Sequence, residues 1–257
     1  MLRKQRMCQG VSETKKQWPV VDLHSHVLPG MDDGSPDVGT TESMLRALRA
    51  QGAGVVCATS HYYAWQETLP AFLERRQQAM ERIAGREQGL TILPGAETAF
   101  FRGISDFPEL DRLCLPQTNT LLLEMPFSDW TEGQVEEVIS LSLDRGFQVV
   151  LAHPERFLFS RKNKKALEKL SELPLYFQIN ADALVRWRTR SNALMLMEWA
   201  QCALLGSDCH NMTSRPPRLE RAREVLAKKL GRELLEQMDE NANRAAFPLL
   251  YAGEGAS

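Results

Sequence analysis

Short apolar runs alternate with longer amphipathic stretches along this chain. Seven runs rich in Val, Ile and Leu fall at residues 20–23, 54–59, 90–93, 120–124, 148–152, 176–180 and 202–206. Each is four to six residues long and reads as a strand buried on both faces. Helical patterns separate most of them. Residues 41–51 carry Met44, Leu45, Ala47 and Leu48 on one side, follow a Thr cap and stop at Gly52. Helices are also predicted over 72–83, 135–145 (ending at Gly146), 164–170, 193–199 and 218–230. Strands connected by helices imply βα units and a parallel sheet. Seven such units suggest a closed or nearly closed barrel, with an open doubly wound sheet as the alternative. No internal repeat or low-complexity linker is visible.

The length of 257 residues suits a single α/β barrel, which commonly runs to about 250. We therefore expect a basic N-terminal extension over 1–18, solvated and disordered, and one barrel domain over 19–257. With 43% hydrophobic and 25% charged residues, disordered, collagen-like and membrane-spanning classes are excluded. The net charge of −2 argues against a protein that tracks nucleic-acid phosphates. Five cysteines, at 8, 57, 114, 202 and 209, form no CxxC pair, which points to buried thiols in a reducing, cytoplasmic setting. The N-terminal Arg3, Lys4, Arg6, Lys15 and Lys16 are not followed by an apolar signal-peptide core, and no apolar run reaches membrane-spanning length.

The five histidines, His24, His26, His61, His153 and His210, all fall at or just past the C-terminal end of a predicted strand. Taken singly, each would be an ordinary half-buried residue. All five together mark the face that carries catalytic residues in parallel α/β barrels. His24 and His26 stand two apart and so point to one side of a strand, with Asp22 placed to orient an imidazole. Asp208 and His210 repeat that arrangement. Asp32 and Asp33 lie in a Gly- and Pro-rich loop. Glu97 follows the third run, and Glu124 closes the fourth, where burial of a carboxylate calls for a cation. A His, Asp and Glu set without thiolates favours Mn, Fe or Zn. Nine candidates exceed the needs of one ion, so two or three are expected, an arrangement suited to phosphate-ester hydrolysis. Arg156 in His-Pro-Glu-Arg and Arg215 in His-Asn-Met-Thr-Ser-Arg offer guanidinium forks for phosphate oxygens. Cys209 and Arg215 match C-x5-R, the signature of cysteine-dependent phosphatases. The intervening loop lacks glycine, however, and alternation turns Cys209 away from its neighbours, so it is not expected to be a nucleophile.

In this order the residues resemble the polymerase and histidinol phosphatase (PHP) superfamily. The resemblance is closest to its bacterial manganese-dependent protein-tyrosine phosphatases of capsule and exopolysaccharide loci. It rests on Asp22-Leu-His-Ser-His-Val-Leu-Pro-Gly-Met-Asp-Asp-Gly34, Ala58-Thr-Ser-His61, Pro94-Gly-Ala-Glu97, Leu123-Glu-Met-Pro126, His153-Pro-Glu-Arg156 and Ser207-Asp-Cys-His210. These span about residues 20–220, with a helical tail beyond. The resemblance implies a distorted, TIM-like (β/α)7 barrel with three metals. His24 and His26 would bind one with Glu97 and Asp208. Glu97 would bridge to a second, held by Glu124 and His153. Asp33, His61 and His210 would hold the third, and Arg156 and Arg215 the substrate phosphate. A hydroxide between the ions would attack phosphorus in line.

The implied partner is a phosphotyrosine protein, in particular a bacterial tyrosine kinase tail, and a homo-oligomer is left open. One departure from the family's Thr-Pro-His-His is Thr59-Ser60-His61-Tyr62. Tyr62, Tyr63, Trp65, Phe100 and Phe101 follow directly on predicted ligands and are expected to shape the pocket. The alternatives are a small-molecule phosphatase acting on a compound such as histidinol phosphate, a PHP nuclease, or a non-catalytic kinase-binding scaffold.

Overall fold

The computed structural model describes residues 18–247. The expected N-terminal extension lies outside these residues but for Trp18. Nine strands are formed: β1 (Val20–Ser25), β2 (Ala53–Ala58), β3 (His61–Tyr62), β4 (Thr91–Pro94), β5 (Glu97–Ala99), β6 (Thr120–Glu124), β7 (Gln148–Ala152), β8 (Tyr176–Asn180) and β9 (Cys202–Gly206). The helices are α1 (Val38–Ala50), α2 (Leu69–Arg82), α3 (Glu132–Leu143), α4 (Arg161–Leu170), α5 (Ala181–Val185), α6 (Trp187–Trp199), α7 (Leu219–Leu230) and α8 (Arg232–Ala246).

All strand pairs are parallel. β1-β2-β4 make one sheet and β3-β5-β6-β7-β8-β9 the other. β3 follows β2 after two residues and β5 follows β4 after two, so each pair is one interrupted stave and the barrel has seven. It closes between β1 and the end of β9. His26 N–H donates to the Cys209 carbonyl at 3.0 Å, and Asp208 N–H donates to the His24 carbonyl at 2.7 Å. The expected (β/α)7 barrel is therefore the observed fold, and the open doubly wound sheet is not.

Strand alternation sorts the core into two layers. Val21, Leu23, Val55, Cys57, Leu122, Val150, Ala152 and Leu204 pack together inside the barrel. Their neighbours Val56, Leu121, Leu123, Val149, Leu151, Phe177, Ile179 and Leu205 face the helices. Ala242, Ala245 and Ala246 of α8 join the inner cluster, and the Thr120 hydroxyl donates to the Ala245 carbonyl at 2.7 Å. Thus α8 seals the N-terminal end and leaves the opposite end for chemistry.

Several helices begin about a turn before their apolar pattern does. The Asp37 carboxylate caps α1 by accepting from Thr40 N–H at 2.7 Å. Thr40, the expected cap, thus lies inside the first turn, and Thr41 turns its buried hydroxyl onto the Val27 carbonyl at 2.7 Å. Thr131 and Gln134 form a capping box on α3, and Ser160 caps α4.

Candidate metal centre at the barrel mouth

Every predicted site residue lies at the C-terminal end of the barrel. His24 and His26, at the end of β1, are both fully buried. Glu97 opens β5 beside His61 of β3, its register partner. Glu124 ends β6, His153 follows β7, and Asp208 and His210 follow β9. His153 and Asp208 have φ of +32° and +48°, a left-handed backbone that is costly outside glycine and concentrates at functional sites. Asp33 projects from the turn after β1. That turn needs Gly34, because a Cβ there would lie 2.4 Å from the His26 carbonyl oxygen.

The structure gathers all nine candidate ligands into one cluster around Glu97. His24 Nε2 and His26 Nε2 are 3.1 Å apart, and lie 3.2 and 3.3 Å from Glu97 Oε2. Asp208 Oδ1 is 3.7 and 3.5 Å from the same two nitrogens. The other Glu97 oxygen is 2.8 Å from His153 Nε2, which is 3.5 Å from Glu124 Oε1. Asp33 Oδ1 is 3.3 Å from His210 Nε2 and 3.7 Å from His61 Nε2, while His61 Nδ1 is 3.0 Å from Glu97 Oε2. Three overlapping donor groups result: His24-His26-Glu97, His61-Glu97-Glu124, and His26-Asp33-His61-His210. Glu97 belongs to two of them, as a bridging carboxylate would. His26 and His61 are also shared, which a strict division of ligands among three ions did not anticipate.

The chemistry of the donors fits cations. His26 Nδ1 is 2.7 Å from Asp32 Oδ2, and His24 Nδ1 is 2.8 Å from Gln178 Oε1. Each acceptor fixes a proton on Nδ1 and leaves Nε2 of both rings facing each other and Glu97, where burial opposes protonation of both imidazoles yet the neighbouring carboxylates raise their pKa. Ring nitrogens and carboxylate oxygens packed this closely require a positive charge between them. Among the described residues, buried His61 Nδ1, Glu97 Oε2, His153 Nδ1 and His210 Nε2 also find no partner in hydrogen-bonding geometry. The electrostatics agree. Burial opposes ionisation of Glu97, yet His24 and His153 hold its carboxyl well below the usual range. Glu124, buried and facing the Glu97 charge, is pushed up to about 7.

Arg215 Nη2 donates to both Asp208 oxygens, at 2.8 and 2.9 Å, and Arg156 Nη2 lies 3.3 Å from Asp208 Oδ2. Both arginines line a cleft of about 420 Å³ over the cluster, with Tyr63, Trp65, Phe100, Met125 and Phe127 among its apolar walls. Tyr63 stacks on His61 at 5.1 Å and Phe127 on His153 at 6.3 Å. Two expected pocket aromatics are elsewhere. Tyr62 is buried against Phe72, and Phe101 packs on Phe107, because strand alternation turns each away from its neighbour. Phe127 is absent from the aromatics that the sequence singles out, although it follows Glu124 by three residues, fewer than the four that separate Trp65 from His61.

Asp22 does not touch an imidazole ring. It accepts from Ser207 N–H at 2.7 Å and Ser207 hydroxyl at 2.6 Å, tying β1 to β9. The orienting roles fall to Asp32 and Gln178. Asp32 also accepts from His61 N–H at 2.9 Å. Cys209 is fully buried in the core between helices and sheet, and burial pushes its thiol far above the ordinary range.

The site is thus a shared histidine–carboxylate cluster at the C-terminal mouth of a seven-stave parallel barrel. The family model for capsular polysaccharide synthesis, CpsB/CapC, matches residues 20–246, and the chain belongs to that family. It is 31% identical over 229 residues to the tyrosine-protein phosphatase YwqE of Bacillus subtilis, covering 87% of this chain and 90% of that one. It is 27% identical over 237 residues to the tyrosine-protein phosphatase CpsB of Streptococcus pneumoniae, covering 85% and 94%. Among solved structures, one from work on YwqE and CpsB, described as unique metal-dependent tyrosine phosphatases, superposes with a TM-score of 0.78. It is 30% identical and covers 88% of this chain and 94% of that one.

Proposed function

We propose that this chain is a metal-dependent tyrosine-protein phosphatase of the CpsB/YwqE type, linked to capsule synthesis. Its substrate would be phosphotyrosine in a protein segment, with the tail of a bacterial tyrosine kinase as the partner. The observation that carries this reading is the cluster itself: nine residues with N and O donors, Glu97 at their centre, gather beneath a cleft that holds two guanidinium groups and an aromatic wall.

The residues His24, His26, Asp33, His61, Glu97, Glu124, His153, Asp208 and His210 would hold two or three ions. Such a set suits Mn2+, with Fe or Zn as competitors. Bound ions of this kind supply a water acidified toward neutrality and positive charge for the phosphoryl oxygens. The chain's own residues do the rest. Asp32 and Gln178 keep the His26 and His24 rings in the ligating tautomer. Arg156 and Arg215 hold phosphoryl oxygens. Nη2 of Arg215 bonds Asp208 and Nη1 lies 3.6 Å from Asp33 Oδ2, so the substrate phosphate would take Nε–H and share Nη1 with Asp33. The aromatic wall seats the phenyl ring and excludes water around the ester. A phenolate with a pKa of about 10 departs with little help from an acid, in contrast to an alkoxide.

Among the described residues no helix is long and apolar enough to cross a membrane. Cys57, Cys114 and Cys209 are free and buried, which supports a cytoplasmic setting. The test is a parallel assay with manganese on a phosphotyrosine peptide, a phosphoserine peptide, histidinol phosphate and single-stranded DNA. Fastest turnover of the phosphotyrosine peptide is expected. Faster turnover of histidinol phosphate or DNA would overturn the substrate assignment.

A further inference from the structure

β8 supplies none of the nine candidate ligands, yet two of its side chains reach into the cluster. Gln178 is fully buried and Asn180 nearly so. Gln178 Oε1 accepts from His153 N–H at 3.1 Å and lies 2.8 Å from His24 Nδ1. Gln178 Nε2 donates to Asn180 Oδ1 at 2.9 Å, and Asn180 Nδ2 donates to Asp208 Oδ2 at 2.7 Å.

We propose that Gln178 and Asn180 form an amide relay that sets which atoms of His24 and Asp208 face the cations. This rests on the metal-binding reading above.

The direction of the relay is fixed from both ends. His153 N–H can only donate, so the Gln178 atom beside it is the carbonyl oxygen. The Asp208 carboxylate, whose two oxygens also accept from Arg215 Nη2 at 2.8 and 2.9 Å, can only accept. The Asn180 atom beside it is therefore the amide nitrogen. The middle link then joins Gln178 N–H to the Asn180 carbonyl, with no alternative that satisfies both ends. His24 Nδ1 consequently carries a proton for Gln178 Oε1, and its Nε2 lone pair faces Glu97 and Asp208. Asp208 gives Oδ2 to Asn180, so Oδ1, which lies 3.7 and 3.5 Å from His24 and His26 Nε2 and also accepts from Arg215 Nη2 at 2.8 Å, is the oxygen turned to the cluster.

The backbone makes room for this device. A Cβ at residue 206 would lie 2.7 Å from Gln178 Nε2 and 2.6 Å from His24 Cβ, so β9 carries Gly206 where the relay crosses it. Glu155 Oε1 accepts from Asn180 N–H at 3.2 Å and holds the far end of the relay in place.

Gln178 and Asn180 are thus positioning residues, and metal binding is the property they control. Gln178→Met keeps the volume and removes the amide. Zinc, which is diamagnetic, would be titrated into chelator-stripped protein against a competing colorimetric chelator. Nitrogen-15 spectra of the histidine-labelled, zinc-loaded protein would report which ring nitrogen of His24 bears hydrogen. The wild type should bind more than one ion, with His24 protonated at Nδ1. Gln178→Met should lose ten- to a hundredfold in the tightest binding step, as is usual when a partner of a ligand is removed. It should also lose the single His24 tautomer, while the melting of the metal-free protein shows that it folds.

Gln178→Glu is the second variant. It can still accept from His24 and His153 but cannot donate to Asn180. The His24 signal should persist and zinc affinity should still fall. Because the links act in series, Gln178→Met with Asn180→Ala should cost little more than Gln178→Met alone. Wild-type zinc affinity in either Gln178 variant overturns the relay while leaving the metal reading intact. A wild-type protein that binds no zinc or manganese overturns both.

Discussion

Replacing Arg156 or Arg215 by lysine is the sharpest perturbation of the proposed phosphate clamp. Lysine keeps the charge and loses the planar fork. Arg215 holds Asp208 through Nη2 at 2.8 and 2.9 Å, and Arg156 approaches the same carboxylate at 3.3 Å. Each therefore presents its remaining N–H groups from a fixed position, which a flexible ammonium cannot reproduce. A hydrogen bond to a charged group contributes about 1.5–3 kcal/mol. The side chains are 37% and 34% exposed, so solvent screening favours the lower end. That corresponds to roughly a tenfold fall in kcat/KM for each variant. Because both guanidiniums share Asp208, the double variant should deviate from additivity by at least about 0.5 kcal/mol. Initial rates on a phosphotyrosine peptide with manganese separate the effects. A contact equally strong in ground and transition states raises KM, and one that strengthens in the transition state lowers kcat. Wild-type kcat/KM in both lysine variants would refute the clamp and return these arginines to a surface role.

Three further outcomes are expected. Cys209→Ala should retain most activity, because its thiol is buried in the core, whereas loss of turnover in this variant with metal content unchanged would hand the chemistry to the cysteine. Trp65→Ala and Phe127→Ala should each reduce the preference for phosphotyrosine over phosphoserine peptide about two- to tenfold, since a ring contact contributes about 0.5–1.5 kcal/mol; an unchanged ratio would mean that the rim does not touch the substrate ring. Asp22→Ala strands a buried Ser207 N–H and should cost about 1–3 kcal/mol by denaturant unfolding of the metal-free protein. Asp22→Asn keeps that acceptor and should cost less, and equal losses would contradict the strand-tying role.

Much of the architecture is legible in the chain because central barrel strands are buried on both faces. β6 to β9 stand at the bounds that their apolar runs predict. The short β3 and β5 are not legible. His61-Tyr62 and Glu97-Thr98-Ala99 are strands through pairing with each other and with β6, which no local pattern records. Helix starts read late because the capping residues Asp37, Thr131 and Ser160 are polar and lie outside the apolar period. The nine ligand candidates are legible because histidine is scarce here and all five copies fall at or just past the end of a predicted strand, with carboxylates at the other ends. Their partners are less so. Parity along β1 places Asp22 on the side of His24 but does not say that Ser207 lies within reach. Gln178 and Asn180 are amides in an ordinary strand, and their role emerges only when β1, β7 and β9 are brought around them.

The central claim is that catalysis depends on a polynuclear metal cluster at the barrel mouth. The most direct measurement is elemental analysis of protein purified without chelator, paired with turnover of a phosphotyrosine peptide before chelation, after it and after manganese is restored. More than one Mn, Fe or Zn per chain is expected, with loss of turnover on chelation, recovery with manganese, and lower occupancy in His24→Ala and Asp208→Asn. Full activity of the metal-free protein would contradict it.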